Sequence, residues 1–163
     1  MDISTALTTA LARIVSVEEQ REALADIYGT VPDLRTVFTR FPDAIQPAHL
    51  PAVLLVPGEA RNISESHQHM QLLRTWTARI YVANWPSNSS GRMEELAEPW
   101  LDTLPLALAA YPVVHLSDGR AFNVQAVRTS GVVPLTYLAP QQYAGVVQTF
   151  QTETMLFVPR VAR

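Results

Sequence analysis

Hydrophobic and polar residues alternate strictly along residues 74–82, which is the period of a β-strand with one buried face. The apolar positions are Trp76, Ala78, Ile80 and Val82. A polar turn over residues 84–91 follows, and apolar residues then recur at helical spacing from Met93 to Leu108. Because a helix that follows a strand through a short turn can fold back onto the sheet, this segment is predicted to form the scaffold of the domain.

Two prolines lie inside this helical pattern, at positions 99 and 105. A proline within a helix removes a backbone N–H donor, and its ring clashes with the preceding turn. We therefore expect a kink at Pro99, and either a second kink or the end of the helix near Pro105. A helix that is kinked in this way can follow the surface of a curved sheet.

The remaining periodic segments predict one more helix and several more strands. Residues 3–27 carry apolar residues at helical spacing, in one or two pieces, and Gly29 suits the C-cap of this helix. Residues 52–56 form a continuous apolar run, which is typical of a fully buried strand. Further strands are predicted at residues 36–39, 112–116, 121–128, 132–138 and 143–158.

These elements predict a single domain over residues 1–163 with an α+β fold. In this fold, a mostly antiparallel twisted sheet has two main helices packed on one face. The other face of the sheet is expected to be wet or covered by another chain. Four residues on strand faces favour cover by a neighbouring chain, although scattered surface side chains explain them equally well. They are Tyr81, Val127, Tyr137 and Tyr143.

A polar segment over residues 58–70 joins two hydrophobic strands. It exceeds the usual hairpin connection of about 2–5 residues, and long connections often carry function. We therefore expect a protruding loop here that contacts another molecule. The predicted contact residues of this loop are Glu59, Arg61, Asn62, Glu65, His67 and His69.

Composition narrows the classes of function. The chain has 163 residues and a formal net charge of −3, its twelve basic residues are all Arg, and it has no cysteine. Disulfides, thiol catalysis, thiolate metal sites and lysine-based chemistry are therefore excluded. The negative charge argues against binding nucleic acid by broad electrostatics. No apolar run approaches the roughly 20 residues of a membrane span, and the first residues lack the basic start of a secretory signal.

One cluster has the residue types of a metal site. His67 and His69 occupy alternate positions, so a strand would place both imidazoles on one side, with Glu65 nearby. A second pair of ligands at a motif distance is absent, and a polar exposed segment explains these residues more simply. We therefore predict no metal and no cofactor. A small metal-dependent enzyme or ligand-binding domain around these histidines and His115 is kept as a distant alternative.

A second cluster has the residue types of a hydrolytic triad. His115, Ser117 and Asp118 are neighbours in the sequence, whereas the members of a triad meet from separate elements. Asp118 followed by Gly119 is a strong hairpin-turn signal, which explains the segment without catalysis. No phosphate-binding loop, metalloprotease motif or nucleophile elbow is present. The sequence therefore predicts no catalytic residue.

Four segments resemble small virion proteins of long-tailed phages, and the likeness is closest to the tail terminator family. Related tail-completion and head–tail connector proteins come next. The segments span most of the chain and lie at Leu50 to Gly58, Arg74 to Ala83, Glu94 to Asp102 and Tyr143 to Phe150. The resemblance implies an α+β fold with a sheet flanked by helices, and it implies a structural protein that is not an enzyme and needs no cofactor.

The resemblance also implies a hexameric ring that caps the tail tube, stops its polymerisation and joins the tail to the head. The implied partners are other copies of the chain, the tail tube protein and a head–tail connector or stopper protein. DNA would pass through the lumen without specific binding, which suits the net charge of −3. The protein would be assembled in the host cytoplasm and lie at the head-proximal end of the virion tail, without contact to a membrane. A connector or neck subunit is the alternative.

Overall fold

The structure, a computed structural model, describes residues 3–18, 21–29, 33–66, 68–85, 95–138 and 140–157. The α-helices are α1 (Ile3–Val15), α2 (Arg21–Tyr28) and α3 (Pro99–Ala110), with one turn of 3₁₀-helix at Pro47–His49. The strands are β1 (Thr36–Phe38), β2 (Ala52–Glu65), β3 (His69–Asn84), β4 (Val113–His115), β5 (Ala121–Thr129), β6 (Val133–Thr136) and β7 (Gln142–Phe157). Within these ranges, no helix is long and apolar enough to cross a membrane.

The described strands form one seven-stranded sheet. Six of them follow the order β1-β2-β3-β7-β5-β4, and the seventh, β6, pairs with β7 beside this path. β1 is parallel to β2, and every other pairing is antiparallel. β7 is the central strand. One of its edges pairs with β3 along almost its whole length, while β6 and β5 share the other edge in succession. The long strand predicted at residues 143–158 is thus confirmed as far as Phe157.

The predicted α+β fold, with two main helices packed on one face of a twisted sheet, is wrong. The chain is mostly β, and its sheet is curled into a half-barrel. The main reason is strand length, because β2 has 14 residues and β3 and β7 have 16 each. The polar segment at residues 58–70 has no hydrophobic period, so the pattern did not reveal that both flanking strands continue through it.

Irregular pairing explains how long strands can curl. A β-bulge places an extra residue on one strand, and the added residue bends that strand and increases its twist. The register of backbone pairing shifts at four places, and three of these lie in the long strands β2 and β3. The shifts fall between Pro57 and Ala60, between Asn62 and Ser64, between Tyr81 and Ala83, and between Ala126 and Arg128.

The larger core lies on the face of the sheet that carries Trp76, Ile80 and Phe150. The rings of Trp76 and Phe150 stack at 6.3 Å, and Trp76 Nε1 donates a hydrogen bond of 2.8 Å to Thr152 Oγ1. Apolar side chains of α1 and α3 enter the same cluster. They include Leu7, Leu11, Ile14 and Val15 from α1, and Trp100, Leu104, Ala107 and Leu108 from α3.

A second core covers part of the opposite face of the sheet. Its members are Ile45, Leu50, Ala52, Leu54, Tyr81, Tyr137 and Tyr143. The Tyr143 hydroxyl donates to Ile45 O at 2.8 Å, and the Tyr137 hydroxyl donates to Pro42 O. The proline-rich connection between β1 and β2 is thereby fastened onto the sheet. The prediction that this face is left wet or waits for another chain is wrong at this end, and of the four side chains named above only Val127 is exposed.

The two prolines of the third helix occupy different positions in it. Residues 95–97 are helical, Glu98 forms a turn, and α3 starts at Pro99. Pro105 lies inside α3 and does not end it. The start of the predicted helix at Met93 lies outside the described residues. The hairpin turn at Asp118 and Gly119 is confirmed, since Gly119 has φ +86° and its N–H bonds to Leu116 O at 3.0 Å.

Candidate assembly surface

The three longest strands continue side by side past the stacked rings of Trp76 and Phe150. We call this extension the arm and define it as residues 57–65 of β2, 69–75 of β3 and 151–157 of β7. β2 changes character abruptly along its length, because residues 52–55 are fully buried whereas every residue from 57 to 65 is exposed. A strand with only one face on a core buries alternate residues. Both faces of β2 are therefore open in the arm.

The predicted protruding loop is in fact a β-hairpin. β2 continues to Glu65 and β3 starts at His69, so the connection is only three residues long. Its ends are tied together, because Ser66 N donates to His69 O at 2.8 Å and His69 N donates to Ser66 Oγ at 3.2 Å. Residues 58–65 and 69 are exposed, but backbone pairing makes the segment an ordered ribbon and not a loop.

The predicted contact residues lie along this ribbon. Glu59, Arg61, Asn62, Glu65 and His69 are all exposed on the arm, whereas His67 lies outside the described residues. Asn62 Nδ2 donates to Glu65 Oε2 at 2.9 Å, which holds these two side chains near the hairpin turn.

Glu59 and Arg61 line a shallow depression of about 240 Å³ together with Thr75 and Gln151. Thr75 and Gln151 are cross-strand partners, so this depression spans β2, β3 and β7. Neither Glu59 nor Arg61 forms an ion pair with another described residue. Their charges are therefore available to a partner.

The arm also exposes large apolar side chains that were not among the predicted contacts. Met155 and Phe157 are 67% and 68% exposed, and Ile63 is 44% exposed. The ring of Phe157 meets that of His69 edge to face at 5.9 Å. Exposed apolar side chains that lie together are a common feature of contact surfaces. One signal of them is present in the sequence, because the apolar end of the predicted strand at residues 143–158 shows no alternation.

The outer edge of β2 is unpaired along the arm. β1 covers only Ala52 to Leu54, so the next residues of β2 have no neighbouring strand on that side among the described elements. A free edge presents a row of backbone donors and acceptors that can pair with another strand. The two bulges in β2 interrupt this row, which is a common way for proteins to restrict pairing at an edge.

Two histidines of the enzyme alternative, His69 and His115, are not brought together, and His67 lies outside the described residues. His69 is on the arm and His115 is on β4, and β7 and β5 lie between them in the sheet. Three strand spacings of about 4.8 Å each keep such residues too far apart to share a metal ion. Within the described ranges, no group of three His, Asp or Glu residues could hold a metal ion. Asp118 of the triad-like cluster instead pairs with Arg120, at 3.2 Å between Oδ2 and Nε.

Neither a model of a known protein family nor a curated protein matches this chain.

Proposed function

We propose that this chain is a tail terminator subunit of a long-tailed phage. In this role, six copies form a ring that caps the tail tube, stops its polymerisation and joins the tail to the head connector. The chain acts as a structural part of the virion and not as an enzyme. DNA passes through the ring, and the net charge of −3 suits a lumen to which DNA does not adhere.

The arm is the observation that carries this proposal. A ribbon with both faces of one strand in water buries little apolar surface and adds little to the stability of a monomer. It does, however, hold charged and apolar side chains at fixed positions away from the core, as an assembly contact requires. Within the described residues, no group of three His, Asp or Glu could hold a metal ion. Contact with other chains is the function that the arm favours.

The oligomeric state tests the proposal most directly. Light scattering of the purified chain at increasing concentration should give the mass of six copies, and electron microscopy should show rings. Addition of the chain to a growing tail tube should shorten the tubes, because a capped end adds no further subunits. A monomer at every concentration, with tubes of unchanged length, would contradict the proposal.

Charge reversal tests the role of the arm. Exchanging the signs in a double variant, Arg61→Glu with Glu65→Arg, keeps the net charge and should weaken assembly about tenfold or more. The free energy of unfolding should change by no more than about 0.5 kcal/mol, because both side chains are exposed. If the double variant lost stability as much as assembly, the arm would not be a specific assembly contact.

Metal analysis tests the competing class of function. Purified chain should contain no stoichiometric zinc. One zinc ion per chain that is lost when His67 and His69 are both changed to Ala would contradict the structural role. It would show that the chain has a metal site.

A further inference from the structure

Two strands of the sheet, β2 and β5, are only partly covered on their outer sides by the terminal strands β1 and β4, and the uncovered stretches lie on opposite sides of the sheet. One is the outer edge of β2 over residues 58–65, described above. The other is the outer edge of β5 over residues 125–129. β4 pairs with β5 only from Ala121 to Asn123, and Val124 N donates to Pro112 O at 2.9 Å. Beyond that point, no described strand borders β5 on its outer side.

The β5 edge is held in place from inside the sheet. The side chain of Gln148 is fully buried, and its Nε2 donates to Arg128 O at 3.0 Å. Its Oε1 accepts a hydrogen bond of 2.6 Å from Thr129 Oγ1. The end of β5 is therefore fixed before any partner arrives, which lowers the entropy cost of binding there.

The side chains of the two edges complement each other. Each edge carries an exposed aliphatic residue at a shift of the ladder, Ile63 on β2 and Val127 on β5, which are 44% and 53% exposed. The β2 edge carries Glu59, Arg61 and Glu65, a net charge of −1, whereas β5 carries Arg128 and no acidic residue. Arg128 forms no ion pair with a described residue. Opposite charges on cross-strand neighbours favour pairing.

Strand direction allows the two edges to meet in a repeating assembly. The pairings β2–β3, β3–β7 and β7–β5 are all antiparallel, so β5 runs opposite to β2. If copies in the same orientation stand side by side, β5 of one copy therefore lies antiparallel to β2 of the next. This is a head-to-tail interface, and such interfaces close into rings when the rotation between copies fits.

The two free edges also lie at different heights along the sheet. The free part of β5 lies beside Gln148 to Gln151 of β7, whereas the free part of β2 lies level with Thr152 to Leu156 through β3. Joining these edges staggers the strands from copy to copy. A closed sheet needs such a stagger together with curled strands, and the half-barrel already supplies the curl.

We propose that the outer edge of β2 in one copy pairs with the outer edge of β5 in the next copy. The sheet then continues from subunit to subunit around the ring. The occupant of the free β2 edge is a second copy of this chain. This inference rests on the proposed ring and identifies the contact that builds it.

Cysteine cross-linking tests the contact, because the chain has no cysteine of its own. In the double variant Ile63→Cys with Val127→Cys, mild oxidation should link copies into a ladder that ends at six. The two positions of one chain are three strand spacings of about 4.8 Å apart, so a disulfide cannot form within a chain. The matched control is Ile63→Cys with Ser117→Cys, which places the second thiol on an exposed turn away from the edge and should give no ladder.

The outcomes separate this inference from the proposed function. Rings that form without a ladder in the Ile63→Cys, Val127→Cys variant overturn the edge contact and leave the ring standing. A ladder without an upper limit supports the edge contact and contradicts a closed ring. Monomers without a ladder overturn both.

A charge exchange gives an independent test. A variant with Glu59→Arg and Glu65→Arg, and a second variant with Arg128→Glu, should each assemble at least about tenfold more weakly than the unchanged chain. An equimolar mixture of the two should recover assembly, because each interface then joins opposite charges. Glu98→Arg, at an exposed position preceding α3, is the control and should assemble normally. A mixture as weak as its components would overturn the inference.

Discussion

Gly145 shows how closely the central strands approach each other. A Cβ at this position would collide with the backbone carbonyl oxygen of Ile80 and with the side chain of Leu135. We predict that Gly145→Ala lowers the free energy of unfolding by about 1–3 kcal/mol, because a backbone atom cannot move aside without disturbing the ladder. Urea denaturation followed by circular dichroism measures this change. Gly131→Ala is the control: its Cβ would meet nothing within 4 Å, and its effect should stay within about 0.5 kcal/mol.

The tyrosines of the second core should make stability fall at alkaline pH. Burial raises the pKa of Tyr81 above its usual 10.0, and burial followed by the nearby Asp43 charge raises the pKa of Tyr137. A raised pKa in the folded state means that stability is complete below about pH 10 and is lost as the pH rises through the folded value. The chain has no lysine, and arginine stays charged, so no basic side chain titrates in the same pH range as the tyrosines.

Unfolding by urea between about pH 8 and pH 11 checks the alkaline prediction. The free energy of unfolding should be level at first and then decline above about pH 10. Tyr81→Phe should reduce the decline, because it removes one of the two groups that must ionise. A decline of the same steepness in this variant would mean that Tyr81 does not contribute.

At the scale of elements, the two halves of β2 should differ in hydrogen exchange. Residues 52–55 are buried between paired strands, whereas residues 58–65 are exposed and unpaired at their outer edge. We predict that amides of the outer half exchange early in the monomer and become protected on assembly, because their outward N–H groups then gain partners. Exchange measured by mass spectrometry at low and high concentration would show it. Unchanged exchange of these residues in the assembled form would contradict edge pairing.

At the scale of the whole molecule, the two cores share their strands. β2 and β3 contribute residues to both clusters, for example Leu55 to the larger and Leu54 to the smaller. We therefore predict that the described body of the chain unfolds in one cooperative transition. Fluorescence of Trp76 and Trp100, which are buried in the larger core, should change at the same urea concentration as the near-ultraviolet signal of the buried tyrosines. Two separate midpoints would show that the smaller core melts alone.

Much of the local structure was predictable because its causes are local. The alternation at residues 74–82 identified a strand whose even residues, from Trp76 to Val82, are buried. Gly29 ends α2 with φ +85°, as a C-cap glycine does. Pro134 has no N–H to donate, which confines its strand to an edge, and β6 pairs on one side only among the described strands.

The candidate site was only partly predictable. The polar segment was predicted to protrude, and five of its six proposed contact residues are exposed on the arm. Its strand structure was missed, because polar residues that face water on both sides show no period. Met155 and Phe157 were missed for a related reason. The end of a strand looks the same in sequence whether its apolar residues enter a core or stand in water.

The sequence by itself determined most of the strand and helix segments, the residues that can pack inward and the absence of cysteine and lysine chemistry, since these depend on neighbouring residues and on composition. Tertiary structure alone decided the curl of the sheet, the second core and the free edges. Curl depends on where the register of long strands shifts. Burial of Tyr81, Tyr137 and Tyr143 depends on the connection between β1 and β2, which packs onto the sheet from elsewhere in the chain. A free edge exists only where no other strand arrives, and that is a property of the whole fold.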